Sequence, residues 1–250
     1  MRACGHGLRA AAAVCNVWHA GDSYGPIALN KQYSSAESAT STLVIAFSSA
    51  GWPPLFVIRP EWGFTLRSIA GDQISVIHLM DMAQSWYTTN PMSGDFDDGE
   101  WWDLKIKELC KGFLHVCIIG ESMGGTGALR FAHHATNRVM AFVPQIDLNI
   151  YRHSRRTDFT KERKDTLHAS ILNSCALTKA RISVHVGRNS HDARQVSLVA
   201  ACDNVEVIKY ATKSHLLATV LKEQGILLEI VRTGLLSCIL LPEIHVPATA

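Results

Sequence analysis

The stretch Leu114-His115-Val116-Cys117-Ile118-Ile119-Gly120-Glu121-Ser122-Met123-Gly124-Gly125 decides how this chain is read. Its first half is a continuous apolar run, the pattern of a fully buried strand. Its second half fits G-x-S-x-G and opens directly into a stretch rich in small and helix-favouring residues that continues to His134. A strand that turns sharply into a helix, with serine at the apex, is the setting in which a serine hydroxyl becomes a nucleophile. Only small side chains fit such a turn, and Gly120, Gly124 and Gly125 supply the room. Ser122 then stands exposed at the carboxyl edge of a sheet. Its backbone lies at a helix N-terminus, where the dipole favours developing negative charge.

Working outward, five more short apolar runs resemble 114–119: residues 43–47, 74–80, 139–143, 182–186 and 205–210. Helical patterns fall between them at 100–110, 123–134, 191–202 and 215–223. Strands alternating with helices imply a mostly parallel sheet covered on both faces, and the right-handed crossover rule makes it doubly wound. The fold class is therefore α/β, with one core at 42–232. An N-terminal segment at 1–41 and a C-terminal tail at 233–250 carry no readable pattern, and Pro53-Pro54 interrupts regular structure after the first run. Residues 151–170 break the rhythm. Arg152, Arg155, Arg156, Lys161, Arg163 and Lys164 stand there against Asp158, Glu162 and Asp165. Such a charge run reads as a solvated helical excursion or as a lid with a weakly positive rim.

A serine needs a base, and in this architecture the chain order is Ser, then Asp or Glu, then His. His215 follows the last core strand and is the candidate base. His133 and His134 lie in the helix after the elbow and His185 lies inside a strand. Asp192 is the only carboxylate in the loop after the preceding strand. It would hold the imidazole in the correct tautomer and stabilise the imidazolium. Asp147, one strand earlier, is the rival. Asp192 also reads as an N-terminal charge on the following helix, and the two roles are compatible. The oxyanion hole requires two backbone N–H groups. Met123 supplies one, and Ser49, with Ala50 as the alternative, supplies the other from the exit of the first run.

Composition narrows the function classes. Lys+Arg minus Asp+Glu is 24 − 22 = +2 over 250 residues, which makes no electrostatic case for nucleic acid or an anionic membrane. No stretch of about 18 residues is apolar and uncharged; the best, 226–241, is interrupted by Glu229 and Arg232. Seven cysteines occur with no Cys-x-x-Cys, so neither a disulfide framework nor a zinc site is expected. That cysteine usage points to a cytoplasmic protein. Arg2, Arg9 and the apolar residues 10–14 imitate a short signal peptide, which leaves secretion as the alternative.

These residues resemble the α/β-hydrolase superfamily, and more narrowly a bacterial branch associated with glycan or polysaccharide export and modification. The resemblance spans about residues 42–232. It rests on Phe47-Ser48-Ser49, on Asp81 followed by Trp86-Tyr87, on the Ser122-Met123-Gly124-Gly125 elbow, and on Ala141-Phe142-Val143-Pro144-Gln145. Asp192, His215 and the helix end Leu221 to Gly225 complete it. Thr126 departs from it where the branch carries an aromatic residue, and Ser49 stands where Gly is frequent. The resemblance implies a serine esterase working through an acyl-enzyme, with a small-molecule or glycan ester as substrate and neither metal nor organic cofactor. Acetyl transfer to a glycan hydroxyl uses the same residues, and a non-catalytic scaffold of the same fold is the further alternative.

Overall fold

Each of the six apolar runs forms a strand. The computed structural model describes residues 27–29, 42–51, 61–70, 74–150 and 159–236. The strands are β1 (Ile27–Leu29), β2 (Thr42–Phe47), β3 (Ser75–Leu79), β4 (His115–Glu121), β5 (Arg138–Phe142), β6 (Arg181–Val186) and β7 (Val205–Lys209). They make one sheet in the order β1-β3-β2-β4-β5-β6-β7, in which β2 to β7 run parallel. β1 pairs antiparallel with β3 and was not foreseen in the segment 1–41, because three residues are too short to show a period. The chain steps from β2 outward to β3, then crosses back over β2 to β4. That reversal puts a crevice at the carboxyl ends of β2 and β4, where ligands bind in open α/β sheets.

The helices are α1 (Gly63–Ala70), α2 (Glu100–Leu109), α3 (Met123–Arg130), α4 (Lys161–Leu177), α5 (Ser190–Ser197), α6 (Leu217–Glu223) and α7 (Leu227–Leu236); a 3₁₀ turn at Ala132–His134 follows α3. Side chains alternate across each strand, so β2 divides its residues between two cores. Leu43, Ile45 and Phe47 pack with Trp102 and Ile106 of α2, Leu129 of α3, and Leu167 and Ile171 of α4. Val44 and Ala46 pack with Leu66 of α1, Leu217 and Leu221 of α6, and Val231 and Leu235 of α7. Complete burial of a Leu, Ile or Phe side chain stabilises by about 1.5–3 kcal/mol, so both layers hold the sheet strongly.

Two boundaries differ from expectation. The charged excursion becomes a helix that runs on to Leu177, since Leu167, Ile171 and Cys175 recur every four residues and bury one stripe beneath the charges. Arg152, Arg155, Arg156 and Asp158 lie outside the described residues, as do Pro53-Pro54 and the terminal segments 1–26 and 237–250. The core also passes its expected end at residue 232. Leu235 is buried, and Gly234 lies so close to Met140 of β5 that a Cβ there would stand 2.6 Å from its Cε. No helix among the described residues is long and apolar enough to cross a membrane.

Candidate active site

Ser122 occupies the turn between β4 and α3 with φ 54 and ψ −119, a conformation that L-residues rarely adopt. Such strain costs about 1–3 kcal/mol and persists only where the surroundings enforce it. Ser122 N–H donates to Phe142 O at 2.8 Å, and Ser122 O accepts from Thr126 N at 2.9 Å. The glycines make the turn possible. A Cβ on Gly120 would collide with the Gly124 carbonyl, and one on Gly124 with the Phe47 carbonyl of β2.

His215, beyond β7, reaches the serine. Its Nε2 lies 2.9 Å from Ser122 Oγ, and its Nδ1 lies 2.9 Å from Asp192 Oδ1. Asp192 is buried in the first turn of α5, so its carboxylate faces His215 and also lies at that helix's N-terminus. With the carboxylate accepting Nδ1–H, Nε2 is left to accept the serine proton. The rival Asp147 is turned elsewhere: its Oδ1 accepts from Asn149 N at 2.8 Å. Gln195 of α5 accepts from Ile146 N and Asp147 N, each at 2.8 Å. Asp147 thus shapes its own turn while the helix that carries Asp192 anchors that turn.

Gln145 is the residue that sequence reasoning missed. Its Nε2 donates to Ser122 Oγ at 3.0 Å, while its Oε1 accepts from Trp86 Nε1 at 2.6 Å. The hydroxyl oxygen accepts from Gln145, which leaves its proton directed at His215. Three local features aim Gln145. Val143, β-branched yet at φ 41, turns the chain out of β5. Thr126 Oγ1 accepts from Gln145 N at 3.0 Å and donates to Gln145 O at 2.8 Å, a clamp that an aromatic residue at 126 would lack. Trp86 is held by a loop folded around buried Asp81, whose carboxylate accepts from Ala83 N, Ser85 N, Ser85 Oγ and Tyr87 N. In the same loop Tyr87 donates its hydroxyl toward Ser48 O, at 2.8 Å. The Asp81, Trp86-Tyr87 and Pro144-Gln145 motifs therefore converge on the serine. The available signal was their shared position at strand ends.

The oxyanion side departs from expectation at Ser49. Met123 supplies the first N–H of α3, which has no partner within the helix ladder. Ser49 N–H instead donates to Glu61 Oε2 at 3.1 Å, and Ser49 Oγ lies 2.7 Å from the same oxygen. A carboxylate on that donor competes with any oxyanion for it. Desolvation of the Glu61 carboxyl raises its pKa against the two Ser49 hydrogen bonds. Glu121, the second residue of the elbow motif, is buried. Its Oε1 accepts from Ala218 N at 2.7 Å, pinning the start of α6 directly after His215. Burial pushes its carboxyl up to about 7, with the negative charge of Glu61 adding to the effect and the α6 N–H groups opposing it.

No protein-family model and no curated protein sequence matches the chain. Its fold is similar to that of solved enzymes. One is a 2,6-dihydroxy-pseudo-oxynicotine hydrolase, with TM-score 0.53 and 11% identity over 78% of this chain and 61% of that one. The chain thus spans about three-fifths of that hydrolase's length. Another is the fluorophosphonate-binding serine hydrolase F of Staphylococcus aureus, with TM-score 0.51 and 12% identity over 79% of this chain and 87% of that one. At these identities the likeness defines the fold, and the fold is that of the α/β-hydrolases.

Proposed function

We propose that the protein is a serine esterase that works through an acyl-enzyme, with Ser122 as nucleophile, His215 as general base and Asp192 as the group that orients it. The observation that carries this reading is the line Asp192–His215–Ser122, with both contacts at 2.9 Å, ending on a serine held in a strained turn at a helix N-terminus. His215 takes the hydroxyl proton as Oγ attacks the ester carbonyl, then gives it to the leaving alkoxide. Met123 N–H stabilises the tetrahedral oxyanion, joined by Ser49 N–H once the substrate carbonyl displaces Glu61. Gln145 Nε2 keeps Oγ aligned and stabilises negative charge on it during attack. Water, activated by His215, releases the acid.

The substrate is an ester of a small molecule or a glycan. The described part of the charged segment, 159–170, serves as a partial lid. Phe159, just before α4, packs edge-on against Trp86, with ring centroids 5.7 Å apart, and Trp86 in turn bonds the glutamine that touches Ser122. Labelling with a fluorophosphonate probe, followed by identification of the modified residue, tests the nucleophile. Ser122 is expected to carry the adduct. Ser122→Ala should abolish labelling and reduce turnover of p-nitrophenyl esters by several orders of magnitude while the protein stays folded. A folded Ser122→Ala variant with undiminished turnover would overturn the reading. A chain-length series of the same esters then defines the acyl group.

A further inference from the structure

At the far end of the elbow helix, three side chains from two segments converge. Asp103 projects from α2, and His133 and His134 from the 3₁₀ turn after α3. Both imidazoles aim the same nitrogen at the same oxygen. His133 Nε2 is 2.8 Å and His134 Nε2 2.9 Å from Asp103 Oδ1. One ligand atom from each residue falls within 4.8 Å of the other two, and the two rings lie 4.1 Å apart between centroids. A tetrahedral zinc ion bound at about 2.0–2.2 Å needs ligand atoms about 3.3–3.5 Å apart, so modest opening of these contacts makes room for one.

The surroundings suit a ligand set. His133 Nδ1 lies 2.8 Å from Ser174 Oγ of α4, and the same oxygen accepts from His133 N at 3.0 Å. Metal-bound imidazoles characteristically have the other ring nitrogen hydrogen-bonded in this way, which fixes the ring and the tautomer. Without metal, each Nε2–H donates to the carboxylate, and Ser174 gives its proton to His133 Nδ1. On metal binding the His133 proton moves from Nε2 to Nδ1 and Ser174 Oγ becomes its acceptor. A hydroxyl fills either role.

We infer that Asp103, His133 and His134 form a binding site for a late first-row divalent metal, with Zn²⁺ the leading candidate and solvent completing the coordination at the exposed His133 edge. Two imidazoles and one carboxylate suit Zn²⁺, Cu²⁺, Ni²⁺ or Co²⁺, whereas Mg²⁺ and Ca²⁺ prefer oxygen-only sets. The sequence offered no such signal, because Asp103 lies thirty residues before His133. The bound ion would tie α2 to the end of the helix that begins at Ser122, with α4 holding the site through Ser174. It would stabilise the folded state by mass action and take no part in acyl transfer.

The test uses full-length, untagged protein freed of metal by a chelator. Zn²⁺ titration against a chromogenic chelator should give one site per chain and a concentration-dependent rise in Tm, with no rise for Mg²⁺. Asp103→Asn and His133→Asn should each weaken Zn²⁺ binding at least tenfold while leaving ester turnover at the wild-type level. Ser174→Ala should weaken it about 10–100-fold. His215→Ala, which removes the other histidine–aspartate pair, should bind Zn²⁺ as wild type does. Binding that survives in the Asp103→Asn/His133→Asn double variant, or that disappears in His215→Ala, would show that the ion sits elsewhere. No binding above the Mg²⁺ level would end the idea.

Discussion

The helix α3 has a histidine–aspartate cluster at each end, and the two are built with opposite polarity. At its N-terminus, His215 gives Nδ1 to Asp192 and turns Nε2 to Ser122 Oγ. At its C-terminus, His133 and His134 give Nε2 to Asp103, and His133 Nδ1 meets a serine. Burial separates them further. The Asp192 side chain is 4% exposed and that of Asp103 40%. A buried acceptor oxygen holds an imidazolium strongly in a poorly screened environment, while an exposed one is screened by water and salt. The same pair of residue types is thus read as part of a proton relay in one place and as a ligand set in the other. What decides is which nitrogen faces the acid and what the second nitrogen touches.

The largest expected effect breaks one end and spares the other. Asp192→Asn should lower kcat about 10⁴-fold, because the amide favours the wrong tautomer of His215. Asp103→Asn and Asp147→Asn should leave kcat within a few-fold of wild type. A comparable loss in either of those two would mean that the acids have been misassigned. A smaller effect sharpens the active end. Gln145→Ala removes a donor to an oxygen that becomes negatively charged during attack. Such a hydrogen bond is worth about 1.5–3 kcal/mol, or roughly 10–100-fold in kcat. Trp86→Phe, which leaves Gln145 in place without its 2.6 Å partner, should act in the same direction and less. An unchanged kcat in Gln145→Ala would remove Gln145 from the chemistry.

A further effect, on stability and not on turnover, separates Glu121 from Asp103. The folded-state pKa of Glu121, about 7, lies above its ordinary value of 4.5, so the native state holds the proton more tightly than the unfolded chain does. Its contribution is therefore fully present below pH 4.5 and is lost as pH rises to about 7. The difference, 7 − 4.5 = 2.5 pH units, corresponds to about 3 kcal/mol at most. Wild type should lose stability relative to Glu121→Gln across that window in denaturant titrations, and the difference should be flat above it. The Asp103 carboxyl moves the other way. Burial raises its pKa, but the hydrogen bonds and charges of His134 and His133 outweigh burial and hold it below the ordinary carboxylate value. The stability that Asp103 contributes is therefore lost as pH falls below its ordinary value of 3.8. A constant difference between wild type and Glu121→Gln from pH 4.5 to 7 would place the Glu121 carboxyl in contact with water.

The sequence alone determined the central strands, because β2 to β6 are short apolar runs buried on both faces, and local composition suffices to show it. It determined the elbow for a similar reason, since the strain at Ser122 and the contacts of Gly120 and Gly124 are properties of a few consecutive residues and the strand beside them. Chain order pointed to His215 and Asp192, and the structure places His215 in hydrogen-bond reach of both Asp192 and the serine. The remainder was decided by tertiary structure. β1 and the extent of α7 depend on partners far along the chain. Gln145 acquires a role only because Val143, Thr126 and the loop around Asp81 aim it at Ser122. Ser49 finds its N–H claimed by Glu61, twelve residues on, which no period or motif announces. Asp103 meets His133 and His134 only because α2 and the end of α3 pack on the same face of the sheet. Periodicity records which side of an element faces the core, whereas the meeting of polar side chains is set by how separate elements pack against one another.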